Sequence, residues 1–163
     1  MNFIAPLAAL TMALSMAMTA SAAWAEAFTA DGVAKGQSST EIIELTGDHT
    51  VMNSRISYSA FEMEDETNPM NQLKGPCFGV LEARGAAMQG NGVCVLEGLE
   101  GDQVVLGWVA RRMDPQGRIA GYWTVNHGTG TWLQASGGGT FLSSVNPANG
   151  AATNTLKGAI TLR

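Results

Sequence analysis

The chain has 163 residues, with 9 Lys and Arg against 14 Asp and Glu, so its formal net charge is −5. Binding of nucleic acid depends on clustered Lys and Arg. Because the sequence has a single adjacent basic pair, Arg111–Arg112, we expect no nucleic-acid partner. The length is sufficient for one domain with a hydrophobic core.

The N-terminal segment has the features of an export signal. Its first 25 residues carry no charged side chain and end in two small-x-small sites, 20–22 and 23–25. This pattern predicts a signal peptide over residues 1–25, cleaved after Ala25, and a single domain over residues 26–163. An uncleaved anchor is the alternative, but a membrane span needs about 20 apolar residues with suitable flanks. We therefore expect a secreted or periplasmic protein without a stable membrane anchor after cleavage.

Short runs of alternating apolar and polar residues dominate the rest of the chain, and no helical period of convincing length follows the signal. The predicted strands cover residues 40–45, 51–61, 78–83, 93–96, 103–110, 119–125, 131–143 and 155–162. An acidic segment, 62–75, is predicted to be a long loop. Pro, Asn and Gly predict turns at 114–117 and 145–154.

Alternation assigns side chains to faces in two of these strands. In the strand 51–61, one face carries Met52, Ser54, Ile56, Tyr58 and Ala60. In the strand 155–162, one face carries Leu156, Ile160 and Leu162.

About eight strands without helices to cover a parallel sheet predict an all-β fold. The economical arrangement is an antiparallel sheet that closes into a barrel or folds into a sandwich. Closure also removes the exposed edges that a small secreted protein must otherwise protect.

The two cysteines, Cys77 and Cys94, are predicted to form a disulfide, since exported proteins meet an oxidising environment. A two-residue turn at 85–86 places Cys77 directly opposite Cys94 in a hairpin. The rival turn, Asn91–Gly92, would leave the two sulfurs unpaired. The alternatives are two free thiols or a metal site. A metal site is disfavoured because the two cysteines and the two histidines, His49 and His127, do not have the spacing of metal ligands.

The glycine-rich segment 127–141, HGTGTWLQASGGGTF, invites a phosphate-loop interpretation. The G-x-G-x-x-G pattern is incomplete, however, and neither a helix nor a P-loop lysine follows it. A flexible linker is disfavoured because Trp132 and Phe141 would be exposed to water. We predict a turn and a strand that glycines 137–139 allow to bend or to approach another backbone or ring closely.

The same segment carries a resemblance to a known family. The pattern GTG-x-aromatic-x-x-Ala-x-Gly is formed by Gly128, Thr129, Gly130, Trp132, Ala135 and Gly137. It resembles the G-T-G-K-F-x-x-A-x-G segment of dirigent proteins, which share a barrel with allene oxide cyclases. It is also similar to small bacterial secreted proteins with GTG and SGGGT segments. The resemblance spans about 120–162 and implies an eight-stranded antiparallel barrel, often trimeric, with an apolar cavity open at one end.

The resemblance does not extend to catalytic residues. His127 stands where plant members usually have Gly, and the acidic catalytic positions of dirigent proteins cannot be placed. It therefore implies a fold and a cavity, not an activity, and we predict no catalytic residue, cofactor or metal. Two further chemistries are disfavoured: Ca²⁺ binding by the acidic loop, which lacks EF-hand spacing, and general-base catalysis by His127, which has no nucleophile nearby in the sequence.

Aromatic residues are the candidate ligand contacts. Trp108 and Trp123 fall near one another if the turn centres on 115–116, and Trp132 follows one strand later. These indoles, with Tyr58, either line a cavity that binds a small apolar ligand or fill a packed core.

Three functional hypotheses follow. The first is a barrel that binds a small, largely apolar molecule. The second is a non-catalytic envelope or interaction module that forms a homo-oligomer. The third is an isomerase or cyclase of the allene oxide cyclase kind, for which Tyr58, Glu82 and Tyr122 are the candidate polar groups.

Overall fold

The computed structural model describes residues 25–85 and 87–163. The predicted signal peptide, residues 1–25, lies outside this part of the chain apart from Ala25. Ten strands are described: β1 Glu26–Thr29, β2 Gly32–Ser38, β3 Glu41–Glu44, β4 His49–Met63, β5 Gly75–Arg84, β6 Ala87–Glu97, β7 Gln103–Met113, β8 Ile119–Gly128, β9 Ser136–Val145 and β10 Ala151–Leu162. Short 3₁₀ helices lie at Pro69–Gln72 and Gly130–Trp132.

The strands form a closed antiparallel barrel, as predicted. The ring runs β2–β4–β5–β6–β7–β8–β9–β10, and β10 closes it by pairing with both β9 and β2. From β4 to β10, each strand pairs with the next one in sequence. Because the ring is closed, alternate side chains of its strands point to the interior and to the exterior. Among the described residues, no helix has the length and hydropathy to cross a membrane.

Two strands were missing from the sequence prediction, β1 and β2. They pair one after the other along β10, at Glu26–Thr29 and Gly32–Ser38. Residues 35–38 are Lys, Gly, Gln and Ser, which do not alternate in hydropathy. Their strand conformation is therefore imposed by the partners on either side, β10 and β4.

The face assignment in β4 is correct up to Tyr58 and wrong at Ala60. Lys35 pairs with Ala60 while Gly36 pairs with Tyr58, so Ser59 is an extra residue that forms a β-bulge. A bulge reverses the alternation beyond it. Phe61 therefore takes the interior place expected for Ala60, and its ring centroid lies 5.6 Å from that of Tyr58.

The cysteine register is confirmed. Arg84 pairs with Ala87 and Cys77 with Cys94, and the two cysteines form a disulfide. The rival turn at Asn91–Gly92 is wrong, because both residues lie inside β6 and pair with β5. A covalent loop of this length stabilises the folded state by about 3 kcal/mol.

The glycine segment contains both a turn and a strand. Residues 131–135, predicted as strand, are not in a strand: 131 and 132 belong to the 3₁₀ helix, in which the Trp132 N–H donates to the Thr129 carbonyl at 2.9 Å, and 133–134 continue as a turn. Gly130 permits this turn with φ of 51°. Strand β9 begins at Ser136, and glycines 137–139 lie within it as predicted.

The glycines of β9 lie close to the backbone of β10. We call this pairing, of residues 136–145 with residues 152–161, the β9–β10 seam. Gly139 pairs with Gly158, and Gly137 pairs with Ile160. Gly137 and Gly158 have φ of 143° and 152°, which favours glycine, and a Cβ at Gly139 would collide with the Lys157 carbonyl oxygen. The ring therefore closes through close contacts between two backbones, which a side chain at these glycine positions would block.

The barrel is plugged at one end. The segment after β4 folds inward there, and Asn68 accepts from the Met70 N–H at 2.9 Å and donates to the Thr29 carbonyl. Large side chains fill this end: Met70, Leu73, Leu96, Trp132 and Ile160. The opposite end is formed by the connections 39–48, 114–118 and 146–150 and lacks such a plug among the described residues.

The seam makes a prediction about stability. Replacing Gly139→Ala forces the seam apart, and we expect it to lower the free energy of unfolding by about 2 kcal/mol or more, because overpacked sites are destabilised by this amount. Gly98→Ala is the control, since its added Cβ would have no neighbour nearer than 3.7 Å. Urea unfolding of both variants tests this, and equal midpoints would contradict the role of the seam.

Candidate ligand-binding cavity

The unplugged half of the barrel encloses a cavity of about 580 Å³. Its walls are mainly apolar side chains from β4, β5, β7, β8 and β9. Residues of the connections also line it, including Thr40, Gly117 and Pro147. Because these connections all lie at the unplugged end, the cavity opens there and has the shape of a cup.

Two indoles form one wall of the cup. Trp108 and Trp123 are direct partners in the β7–β8 pair, which confirms the predicted proximity. Trp108 lies against Gly79 and Gly92, where any Cβ would collide with its ring. It also makes an edge-to-face contact with Phe141, with ring centroids 6.5 Å apart. Glycine on the neighbouring strands thus lets an indole lie along the inner wall.

The predicted aromatic residues divide between cavity and plug. Trp108, Trp123 and Tyr58 line the cavity. Trp132 is buried at the plugged end in the 3₁₀ turn and does not line this cavity. Three of the aromatic residues therefore contribute to a cavity wall, and the fourth fills the core at the plugged end.

Tyr58 and Asn154 form a polar pair in the cavity wall. The Asn154 Nδ2 donates to the Tyr58 hydroxyl at 3.1 Å. Burial raises the pKa of Tyr58 to about 12, and the bond from Asn154 opposes this rise only in part. Tyr58 is therefore neutral over the physiological range. Asn154 falls inside the predicted turn 145–154, so its place in the cavity wall was not predicted from the sequence.

Two buried polar atoms of cavity-lining residues lack a hydrogen-bond partner among residues 25–85 and 87–163. They are Nε1 of Trp123 and Oδ1 of Asn154. Trp123 is 4% exposed, so solvent does not replace the missing partner. A buried polar atom left unpaired costs about 1–3 kcal/mol.

The cavity wall carries no charge. Among the described residues, none that lines it is Asp, Glu, Lys, Arg or His. Glu82 instead accepts from Arg84 and Gln89 and lies 2.7 Å from His49 Nε2; hydrogen bonds from Gln89, Arg84 and His49 lower its pKa to about 2. Tyr122 is 57% exposed. Of the three candidates for the isomerase hypothesis, Tyr58 alone lines the cavity.

The remaining polar candidates do not assemble into a site. Within residues 25–85 and 87–163, no group of three or more His, Cys, Asp or Glu side chains is arranged to hold a metal ion. His127 is exposed beside an irregularity in the β7–β8 pairing. The disulfide, by contrast, contributes to the cavity wall, because Cys77 and Cys94 both line it.

Comparison with protein-family models, with curated proteins and with solved structures found no match to this chain. The likeness to allene oxide cyclases and dirigent proteins therefore stays a prediction that rests on the GTG segment. The cavity has to be interpreted from its own geometry.

Burial of Tyr58 predicts that the stability of the fold depends on pH. Below its ordinary pKa of 10.0, Tyr58 is neutral in the folded and unfolded states, and its contribution to stability is fully present. Between 10.0 and about 12 only the unfolded state ionises, so stability falls as pH rises. The Tyr122→Phe variant leaves Tyr58 as the single tyrosine. Its near-ultraviolet titration should have a midpoint near 12 when folded and near 10 in urea; equal midpoints would show that Tyr58 is solvated.

Proposed function

We propose that this protein binds a small, uncharged, largely apolar molecule inside the barrel. The observation that carries the proposal is the open cavity with two indoles in an uncharged wall. Its volume of about 580 Å³ falls within the range typical of small-molecule sites, about 300–1,000 Å³. An apolar ligand gains free energy on entry because its surface and that of the wall both leave water.

We further propose that binding takes place outside the cytoplasm. The disulfide is typical of proteins from oxidising compartments, and it forms part of the cavity wall. The predicted signal peptide assigns the protein to the periplasm or the medium. We expect the exported chain to begin at Glu26, and mass spectrometry of the intact protein checks this. A mass that includes residues 1–25 would contradict cleavage.

Two substitutions in β4 separate the cavity from the outer surface. Ser54 lines the cavity, while Ser57 is exposed on the other face. We expect Ser54→Phe to occupy part of the cavity and weaken binding at least tenfold, and Ser57→Phe to leave the affinity unchanged. The measurement is titration with the neutral fluorescent probe N-phenyl-1-naphthylamine, with quenching of tryptophan fluorescence as a second readout. No binding by the unmodified protein, or equal loss in both variants, would overturn the proposal.

A second candidate function, assembly with other copies, is supported by one feature of the outer surface. Phe78, Val80 and Tyr122 are 38%, 53% and 57% exposed on β5 and β8. Between them, Val93 on β6 and Val109 on β7 face outward and are partly buried. Apolar patches of this kind often mark interfaces.

Assembly through this patch predicts a mass of two or three protomers in light scattering coupled to size exclusion. Val80→Glu places a charge within the patch, and we expect it to yield monomers. Thr153→Glu, at an exposed position on β10 across the barrel, is the control and should leave the mass unchanged. A monomeric unmodified protein would contradict this second function without affecting the cavity.

A further inference from the structure

The polar side chains of the cavity wall lie on one side of the barrel. Within the described chain, the lining from β5, β6, β7 and β8 has no hydroxyl, amide or charged side chain and consists of cysteines, leucines, an isoleucine and tryptophans. The serines, threonine, asparagines and tyrosine of the lining come from β2, β4, β9, β10 and the connections that follow β2 and β9. Because β9, β10, β2 and β4 are consecutive in the ring, the cavity has an apolar side and a side that carries hydroxyl and amide groups.

Most of these polar residues lie toward the mouth of the cup. Ser38 ends β2, Thr40 follows it by two residues, and Asn146 follows β9. Hydrogen bonds hold the two segments together, since the Ser38 N–H donates to the Gly150 carbonyl at 2.8 Å and the Ser38 and Thr40 hydroxyls lie 3.0 Å apart. We call the polar lining of this region the polar arc: Ser38, Ser39, Thr40, Ser54, Ser143 and Asn146.

A ligand in the cavity can reach the polar arc. Ser39, Thr40 and Asn146 are exposed, and the other members of the arc are half-buried, so each keeps accessible surface. A serine or threonine hydroxyl donates one hydrogen bond and accepts others, so a hydroxyl that is already paired can still bind a ligand. Nε1 of Trp123 and Oδ1 of Asn154, by contrast, are shielded from solvent and therefore from a ligand in the open cavity.

The deep end of the cavity offers less to a polar group. Phe61 and Leu106 line it near the plugged ends of β4 and β7, and both are buried. The Tyr58 hydroxyl, which is also buried on β4, already accepts from Asn154. A polar group carried to this depth would lose its hydration, whereas one at the mouth keeps part of its hydration and gains partners in the polar arc. The cavity therefore favours one orientation of a ligand that has a polar end.

The mouth is not polar all round. Ile42, Val145 and Pro147 also line it, and Ile42 and Val145 are 61% and 44% exposed. A molecule that is polar over its whole length would place hydroxyl groups against these side chains and against β5–β8, where they would find no polar side chain to bind. The lining thus suits a molecule that is apolar over most of its length and polar at one end.

We infer that the ligand is an uncharged amphipathic molecule whose hydroxyl-bearing end lies at the polar arc while its apolar part extends along β5–β8 toward Phe61 and Leu106. This inference rests on the proposed function and specifies the polarity and the orientation of its ligand. The polar arc then determines which polar end is accepted, and the β5–β8 side supplies apolar contact.

Two competitors with the same carbon chain, octane and octane-1,2-diol, test the inference. The affinity of each is measured by displacement of N-phenyl-1-naphthylamine from the folded, disulfide-bonded protein. Thr40→Val keeps the shape of the side chain but removes its hydroxyl, and Ser143→Ala removes a second hydroxyl. We expect the double variant to bind the diol about tenfold more weakly, which is the effect of two ordinary hydrogen bonds. Its affinity for octane and for the probe should change by less than about twofold, because neither carries a hydroxyl.

A matched control and a measurement of orientation complete the test. Ser144 and Thr153 pair with one another on β9 and β10, and neither lines the cavity. The double variant Thr153→Val with Ser144→Ala should therefore leave the affinity for both competitors unchanged. Nuclear Overhauser effects report the orientation, and we expect the oxygen-bearing carbons of the diol to lie near Ile42 and its terminal methyl group near Phe61.

The outcomes separate this inference from the function on which it rests. The inference is wrong if the Thr40→Val, Ser143→Ala variant binds the diol as tightly as the unmodified protein does, if it weakens octane and the diol alike, or if the terminal methyl group lies at the mouth. In each of these cases the barrel still binds ligands. If the probe does not bind the unmodified protein, or if Ser54→Phe and Ser57→Phe weaken its binding equally, both proposals fail.

Discussion

Close approach of two backbones at the β9–β10 seam is the constraint on which the rest of the structure depends. Gly139 faces Gly158 there, and Gly137 and Gly158 adopt positive φ. A side chain at these positions would collide with the facing backbone, and this pairing spares the sheet the two unpaired edges that an open sheet would have. Because the ring closes, every strand acquires an inside and an outside, and an enclosed cavity becomes available.

The cavity exists because bulk is distributed unevenly along the barrel axis. The plugged end is filled by Trp132 and by the segment around Met70 and Leu73, whereas the large side chains of the other half, such as Trp108 and Trp123, line the cavity wall. There, Gly79 and Gly92 let the Trp108 ring lie flat along the wall instead of across the lumen. One end of the barrel is therefore packed, and the other end holds the cavity. The disulfide fixes the β5–β6 register at the Cys77–Cys94 pair, two residues along each strand from the glycines that contact Trp108.

Charge is separated from this interior. Carboxylates with clear partners, such as Glu82 and Asp114, lie outside the cavity and bind neighbouring arginines. Inside, the polar side chains are neutral, and they include serines, a threonine and two asparagines. A mainly apolar interior with neutral polar side chains favours recognition by shape and hydrogen bonds over ion pairing. The outer apolar patch around Val80 is a separate feature, so assembly and binding can be tested independently.

The sequence by itself determined the features that depend on local pattern: alternation predicted eight of the ten strands, one two-residue turn predicted the Cys77–Cys94 pair, and a second turn predicted that Trp108 and Trp123 are neighbours. Other features are decided by contacts between distant segments. The bulge at Ser59 exchanges Ala60 for Phe61, and β2 is held by β4 and β10 despite its irregular polarity. Only the tertiary structure places Trp132 in the plug and Asn154 beside Tyr58, because the end at which a barrel is filled depends on how its loops fold back, which no local period encodes.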